Sequence, residues 1–270
     1  MARTVLITGA SAGIGRTTAI LLAQKGYNVY GAARRLDKMQ DLKSYGIKPL
    51  ELDVTDENSL KTCVEHIFAE AGSIDILVNN AGFGSYGAIE DVALEDAKYQ
   101  LEVNVFGAMR LRQLVLPKMR EQRYGKIVNI SSIAGKITFP FGGWYHASKY
   151  AIEALSDALR LEVKGFGIDV IIIEPGATKS EWGDIAVDSL MRVSGNTAYG
   201  KLATAFHSTF KKMFTNVPEP IVIARLIEKG IEAKKPKSRY VGAYMAKPIL
   251  FLRSIVSDSI LDRIIMSQLK

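Results

Sequence analysis

Strand-length runs of β-branched residues alternate along most of the chain with helix-length amphipathic stretches, and this alternation restricts the fold more than any other feature. Apolar runs at 4–8, 28–33, 49–54, 74–79, 126–131, 168–174 and 239–242 read as seven strands. Segments at 14–25, 59–71, 92–120, 145–164 and 221–233 read as helices. Strand, helix, strand order requires parallel crossovers. Ile76-Leu77-Val78 and Val170-Ile171-Ile172-Ile173 are apolar at consecutive positions, as in strands covered on both faces. The expected fold is α/β: a doubly wound, seven-stranded parallel sheet with helices on both faces.

No repeat, low-complexity tract or composition shift marks a boundary, so one domain over 1–270 is expected. An insertion at about 178–217 is too long for an ordinary connection and reads as a substrate lid. With 48% hydrophobic and 23% charged residues, the chain is not disordered, collagenous or a coiled coil. The single cysteine, Cys63, cannot build a disulfide framework. No apolar run approaches the ~20 residues of a membrane-spanning helix, and the first residues do not resemble a signal peptide, so a cytoplasmic protein is expected.

The net charge of +7, from 35 basic and 28 acidic residues, suits a nucleic acid, an anionic membrane or an anionic small molecule. The densest basic run, Lys234-Lys235-Pro236-Lys237-Ser238-Arg239, is broken by proline and has no aromatic residues to stack on bases; a solvated loop, and no nucleic-acid partner, is expected. The lone cysteine and the dispersed His66, His146 and His207 show no metal-ligand spacing.

Ligands of open α/β sheets bind beyond the carboxyl ends of the strands. Directly after the first strand stands Thr8-Gly9-Ala10-Ser11-Ala12-Gly13-Ile14-Gly15, leading into a helix. Glycines there allow a tight turn and close approach to a pyrophosphate, held by free amides at the positive helix end. Gly9-Ala10-Ser11-Ala12-Gly13 also matches the nucleophile elbow of α/β serine hydrolases, which would make Ser11 a nucleophile. That rival needs several strands before the elbow and a histidine at a strand end; only one strand precedes it, and none of the three histidines falls clearly in such a loop.

A strand ends at Ser131-Ser132, and thirteen residues after Ser132 comes Tyr145, followed four positions later by Lys149. Four residues are about one helical turn, so the phenol and the ammonium share a face. A cation beside a tyrosine is expected to lower its pKa toward the usable range. Alone, Tyr-x-x-x-Lys is ordinary helix surface; joined to a strand-end serine and an N-terminal phosphate loop it is specific.

With these elements the sequence resembles the short-chain dehydrogenase/reductase family, of Rossmann type. The resemblance rests on the glycine loop, Asp53 after the third strand, Asn79-Asn80-Ala81-Gly82 after the fourth, Asn104, Ser132, Tyr145-His146-Ala147-Ser148-Lys149, and Pro175-Gly176 followed by Thr178. Its motifs cover about residues 3 to 180. It implies an oxidoreductase that moves a hydride between a nicotinamide and a carbonyl or secondary alcohol. Tyr145 would transfer the proton, Lys149 would hold the nicotinamide ribose and depress the tyrosine pKa, Ser132 would bind the carbonyl, and Asn104 would support a water in a proton relay. The implied cofactor contacts are Gly9, Ser11, Gly13, Ile14 and Gly15 at the pyrophosphate, Asp53 and Val54 at adenine, Asn80 at the adjoining ribose, Tyr145 and Lys149, and Pro175, Gly176 and Thr178 at the nicotinamide amide. A homodimer or homotetramer is the usual assembly in the family.

The second strand ends Ala32-Ala33-Arg34-Arg35, with no acid to accept a ribose 2′-hydroxyl, so NADP(H) is expected over NAD(H), with Arg34 as the main phosphate ligand. Members preferring NADP often carry a second basic residue in the glycine loop, where this chain has Ala12; Arg35 or Arg16 would have to compensate. A dinucleotide-binding sensor without catalysis is the other reading, and the intact Asn104, Ser132, Tyr145 and Lys149 oppose it.

The insertion contains Trp182, Met191, Val193, Tyr199, Leu202, Phe206, Phe210, Met213 and Phe214, and from 202 to 214 its apolar residues recur at three and four, as in an amphipathic lid helix. Phe83, Tyr86, Phe139, Phe141 and Trp144 follow strand ends. Together they point to a bulky lipophilic ketone or alcohol. The apolar stripe from 249 to 266 is expected to cover the pocket first, to form a subunit interface second, and to touch a membrane surface third.

Overall fold

The computed structural model describes residues 2–269, apart from the side chains of Glu181, Trp182 and Asp184. Seven strands, β1 (Thr4–Thr8), β2 (Asn28–Ala33), β3 (Lys48–Glu51), β4 (Ile76–Asn79), β5 (Gly125–Ile130), β6 (Ile168–Pro175) and β7 (Arg239–Gly242), form one sheet in the order β3-β2-β1-β4-β5-β6-β7. Every pairing is parallel. Strand order reverses between β1 and β4, which opens a crevice at their carboxyl ends.

The period of two along each strand sorts side chains to two cores. Val5 and Ile7 of β1 pack with Ala19 and Leu22 of α1 (Gly13–Gln24) and with Ile223, Ile227 and Ile231 of α8 (Ile221–Glu232). Leu6, between them, faces Leu60 and Val64 of α2 (Glu57–Ala71) and Leu111 and Val115 of α4 (Gly107–Glu121). Strands apolar at successive positions are buried on both faces for this reason. Cys63 lies in the second core, where burial pushes its thiol up to about 12 and keeps it unreactive.

Most bounds shift by only a residue or two, and three larger differences from expectation have physical reasons. The third strand stops at Glu51 because Asp53 turns the chain: its Oδ1 accepts from the Thr55 amide at 2.9 Å and the Thr55 hydroxyl at 2.8 Å. The long helix expected over 92–120 is two helices, α3 (Leu94–Leu101) and α4, joined by a π turn at Glu102–Phe106. At its end Gly107 approaches β3's loop so closely that a Cβ would lie 2.6 Å from the Val54 carbonyl. The insertion holds two helices, α6 (Glu181–Ser194) and α7 (Gly200–Phe214), of which only the second was expected. The chain continues with α5 (Gly143–Glu162) before β6, and with α9 (Ala246–Ile255) and α10 (Asp258–Ser267) after β7.

Candidate active site

The glycine loop is built by close backbone approach. Gly9 has φ of +68°, and a Cβ there would stand 2.8 Å from Asn80 Nδ2. Asn80 Nδ2 donates to the Thr8 carbonyl at 3.0 Å, while Thr8 Oγ1 accepts from the Asn80 and Ala81 amides, both at 3.0 Å. The ends of β1 and β4 are thereby tied together. Gly15 presses α1 against this knot, since a Cβ there would meet the Gly9 carbonyl at 2.4 Å. Asp56 caps α2 by accepting from the Ser59 amide, but the N-cap position of α1 holds Ala12, whose side chain cannot cap. The first amides of α1 are left for an external acceptor, where the helix dipole favours an anion.

On the other side of the crevice, Ser132 at the end of β5 caps a 3₁₀ turn, its Oγ accepting from the Ala134 amide at 3.1 Å and donating to the Pro175 carbonyl at 3.3 Å. Tyr145 and Lys149 lie one turn apart on α5, 7% and 8% exposed. Tyr145 is hydrogen-bonded with Ser132. Lys149 Nζ donates to the Ile130 carbonyl at 2.9 Å and stands 5.7 Å from the Tyr145 ring centroid.

The electrostatics correct the expected acidic phenol. Burial pushes Tyr145 up to about 12, and the Ser132 hydroxyl only partly opposes it. Burial also pulls Lys149 down to about 8, against the carboxylate of Glu153 one turn further on. Desolvation disfavours both charged forms, and in the protein as folded it outweighs the opposing help of Ser132 on Tyr145 and of Glu153 on Lys149. Both groups carry their protons at neutral pH.

Asn104 is a second correction. Its side chain is spent on the chain itself: Oδ1 accepts from the Phe83 amide at 3.0 Å, and Nδ2 donates to the Phe83 carbonyl at 2.9 Å and to Ser148 Oγ at 3.0 Å. It clamps the loop after β4 onto α5 and does not line the crevice. Gly15 does not line it either. The other sequence-predicted residues, Gly9, Ser11, Gly13, Ile14, Arg34, Asp53, Val54, Asn80, Ser132, Tyr145, Lys149, Pro175, Gly176 and Thr178, all border one cavity of about 890 Å³.

Arg34 and Arg35 both line its far end. Arg34 Nη1 donates to the Tyr99 hydroxyl at 2.9 Å, and Arg35 Nη2 donates to Ser11 Oγ at 3.3 Å, which brings its charge to the glycine loop. Arg16 points elsewhere, paired with Asp41. Ser11 has no histidine hydrogen-bonded to it among the described residues: His66 neighbours Glu70 on α2, His146 accepts the Phe139 amide at 3.0 Å and donates to the Ala134 carbonyl at 3.0 Å, and His207 lies on α7 outside the cavity lining. The hydrolase reading falls on this geometry.

Beyond Tyr145 the cavity widens into an apolar chamber. Phe206, Phe210, Met213 and Phe214 of α7 form its roof, with Phe83, Tyr86 and Phe139 at its base. Tyr86 lies 6.0 Å, centroid to centroid, from Tyr145 and 6.2 Å from Phe206. Phe141 packs behind Phe206, and Trp144, Met191, Val193, Tyr199 and Leu202 also lie outside the lining; the Trp182 side chain is outside the described residues. Ile249, Leu252, Leu261, Ile264 and Ile265 close the chamber, so the C-terminal stripe covers the pocket as its first-ranked expectation held. Their helical spacing was visible in the sequence, but not which element they would face. Gly176 admits this closure: a Cβ there would lie 2.1 Å from the Tyr244 carbonyl.

The family model for the short chain dehydrogenases matches residues 3–188. A 3-ketodihydrosphingosine reductase of Bacteroides thetaiotaomicron is 44% identical over 64% of this chain and 62% of its own length. An NADPH-dependent 3-dehydrocapnine reductase of Ornithobacterium rhinotracheale is 35% identical over 99% of this chain and 98% of its own. A short-chain dehydrogenase of Streptomyces avermitilis, solved by crystallography, is 32% identical over 97% of this chain and 94% of its own, with a TM-score of 0.82. Sequence match, strand order and site geometry agree, and this chain belongs to the short-chain dehydrogenase family of oxidoreductases.

Proposed function

We propose that this protein is an NADP(H)-dependent reductase that converts a bulky, lipophilic ketone into the secondary alcohol. The observation that carries the reading is one continuous cavity, with an anion-ready glycine loop and two arginines at one end, an apolar chamber at the other, and buried Tyr145, Ser132 and Lys149 between them. The relatives named for a ketosphingoid and for dehydrocapnine support a long-chain ketone.

The uncapped start of α1 and the open backbone at Gly9 fit a dinucleotide. Gly9, Ser11, Gly13 and Ile14 would hold its pyrophosphate, Arg34 and Arg35 a 2′-phosphate, Asp53 and Val54 the adenine, Asn80 the adjoining ribose, and Pro175, Gly176 and Thr178 the nicotinamide amide. A bound reduced nicotinamide supplies the hydride. Ser132 and Tyr145 bind the ketone oxygen, where negative charge accumulates, and such fixed donors stabilise the transition state more than the ground state. Tyr145 then gives up its proton, and the Lys149 ammonium stabilises the phenolate left behind. Asn104 positions α5 against the loop after β4.

Arg34 and Arg35 test the cofactor choice. Arg34→Glu/Arg35→Glu is expected to weaken NADPH binding by about a hundredfold while changing NADH binding only a few-fold, as two charge-assisted contacts of about 1.5 kcal/mol each would require. Fluorescence titration of both cofactors decides it; equal losses would defeat the assignment.

The pH profile follows from Lys149. Its charge is present below about 8 and lost above it, so kcat/KM for ketone reduction is expected to fall as pH rises through 8. A plateau extending to pH 10 would show that this ammonium is not needed in that form.

A further inference from the structure

The chamber opens onto an exposed apolar surface. Met213 of α7, Met245 before α9 and Ile264 of α10 all line the cavity, yet are 40%, 43% and 37% exposed. The surface continues outward: Phe251 and Ile255, one turn apart on α9, are 66% and 62% exposed, and Ile260, one turn before Ile264 on α10, is 46% exposed. Soluble monomers rarely leave such a patch uncovered.

Cations frame it. α7 contains Lys201, Lys211 and Lys212 and no acid. Lys247 lies on α9 and Arg263 on α10. Among the described residues Lys211, Lys212, Lys247 and Arg263 have no carboxylate partner, whereas Asp258, one of two acids on these last helices, is held by Arg253 at 3.0 Å. A two-fold contact with a second copy would set this positive frame against itself. An anionic bilayer complements both features: acyl chains for the apolar side chains, lipid headgroups for the cations. No helix among the described residues is long and apolar enough to cross a membrane, so the contact would be peripheral.

We infer that the surface formed by α7, α9 and α10 docks on an anionic bilayer, seating the cavity mouth so that a long-chain ketone passes from lipid to Tyr145 without crossing water. The inference rests on the lipophilic substrate proposed above. A long alkyl chain leaves lipid for water with great reluctance, and a mouth pressed to the membrane removes that step.

The test is co-sedimentation of the full chain with phosphatidylcholine vesicles, with and without phosphatidylglycerol. Binding is expected only with the anionic lipid, and to weaken as salt rises. K211Q/K212Q is expected to lower vesicle affinity by about thirtyfold, the loss of two interfacial charges. F251E/I255E should also release the protein from vesicles, while both variants reduce a short, water-soluble ketone with NADPH at the unmodified rate. Equal binding to neutral vesicles, no binding to either kind, or unchanged affinity in both variants would overturn the inference. So would an F251E/I255E variant that keeps its vesicle affinity but loses a dimer seen in the parent, since a second copy would then cover the patch. Failure of short-ketone turnover in the parent chain would instead defeat the proposed reaction, and vesicle binding reads out separately from it.

Discussion

Replacing Tyr145 by Phe is expected to lower ketone turnover by about 10²–10⁴-fold, the range of a positioned general acid, while NADPH affinity changes by no more than a few-fold. The substitution deletes one oxygen and keeps the ring. The ring's contacts with Tyr86 at 6.0 Å and Lys149 at 5.7 Å therefore survive, and the fold is not at issue. What disappears is a proton that burial holds on the phenol up to about pH 12. Such a phenol is a poor base at neutral pH but remains a stronger acid than the alcohol being formed, which suits reduction. Ser132 would still bind the ketone oxygen, so the loss should appear mainly in kcat. Absorbance of the nicotinamide under saturating ketone measures it, and full turnover by the variant would end the proposed mechanism.

Arg239→Ala is expected to cost about 3–5 kcal/mol of stability, because it leaves buried carboxylates without their main counter-charge. Arg239, on edge strand β7, donates to Glu153 Oε2 from Nε at 3.1 Å and from Nη2 at 2.9 Å, and to Asp157 Oδ2 at 2.6 Å. It also pairs with Glu174 at 3.1 Å. Glu153 and Glu174 are 3% and 2% exposed, and among the described residues the one ion pair left on them without Arg239 is Lys136 with Glu153 at 3.0 Å, with Lys149 acting on Glu153 through space.

The pH dependence has a definite sign. Burial first, then the neighbouring Glu153, push Glu174 up to about 7 from an ordinary 4.5. A raised carboxyl binds its proton more tightly in the folded chain, so its contribution is full below pH 4.5 and is lost as pH rises toward 7. Removing Arg239 removes an opposing charge and should steepen that loss. Urea melts at pH 5 and pH 8 should therefore show a larger deficit for the variant at pH 8; equal deficits would mean that the cluster is not the cause.

How much of the site was legible depended on how local its determinants are. The glycine loop could be read because Gly9, Gly13 and Gly15 follow a strand and open a helix, and both halves of that pattern lie within a few residues. Tyr145 and Lys149 could be paired because one helical turn fixes their relation. Asn104 was identified as a position but not in its behaviour, since Phe83 and Ser148 reach it from distant parts of the chain. Arg35 was only a fallback beside Arg34, and its approach to Ser11 exists only once β2 lies beside β1. The helix over 181–194 was not expected, although its apolar residues repeat at helical spacing and Ser180 stands at its N-cap position, because Gly183 in its first turn weakens the helical pattern.

By itself the sequence determined the alternating elements, the parallel sheet and the order of the chemical groups along it, because periodicity and turn chemistry act over neighbouring residues. Only the tertiary structure decided the charge states at Tyr145 and Lys149, the closure of the chamber by the last two helices and the burial of Glu153 and Glu174. Those depend on desolvation, and desolvation at any one residue is set by side chains that arrive from elsewhere in the chain.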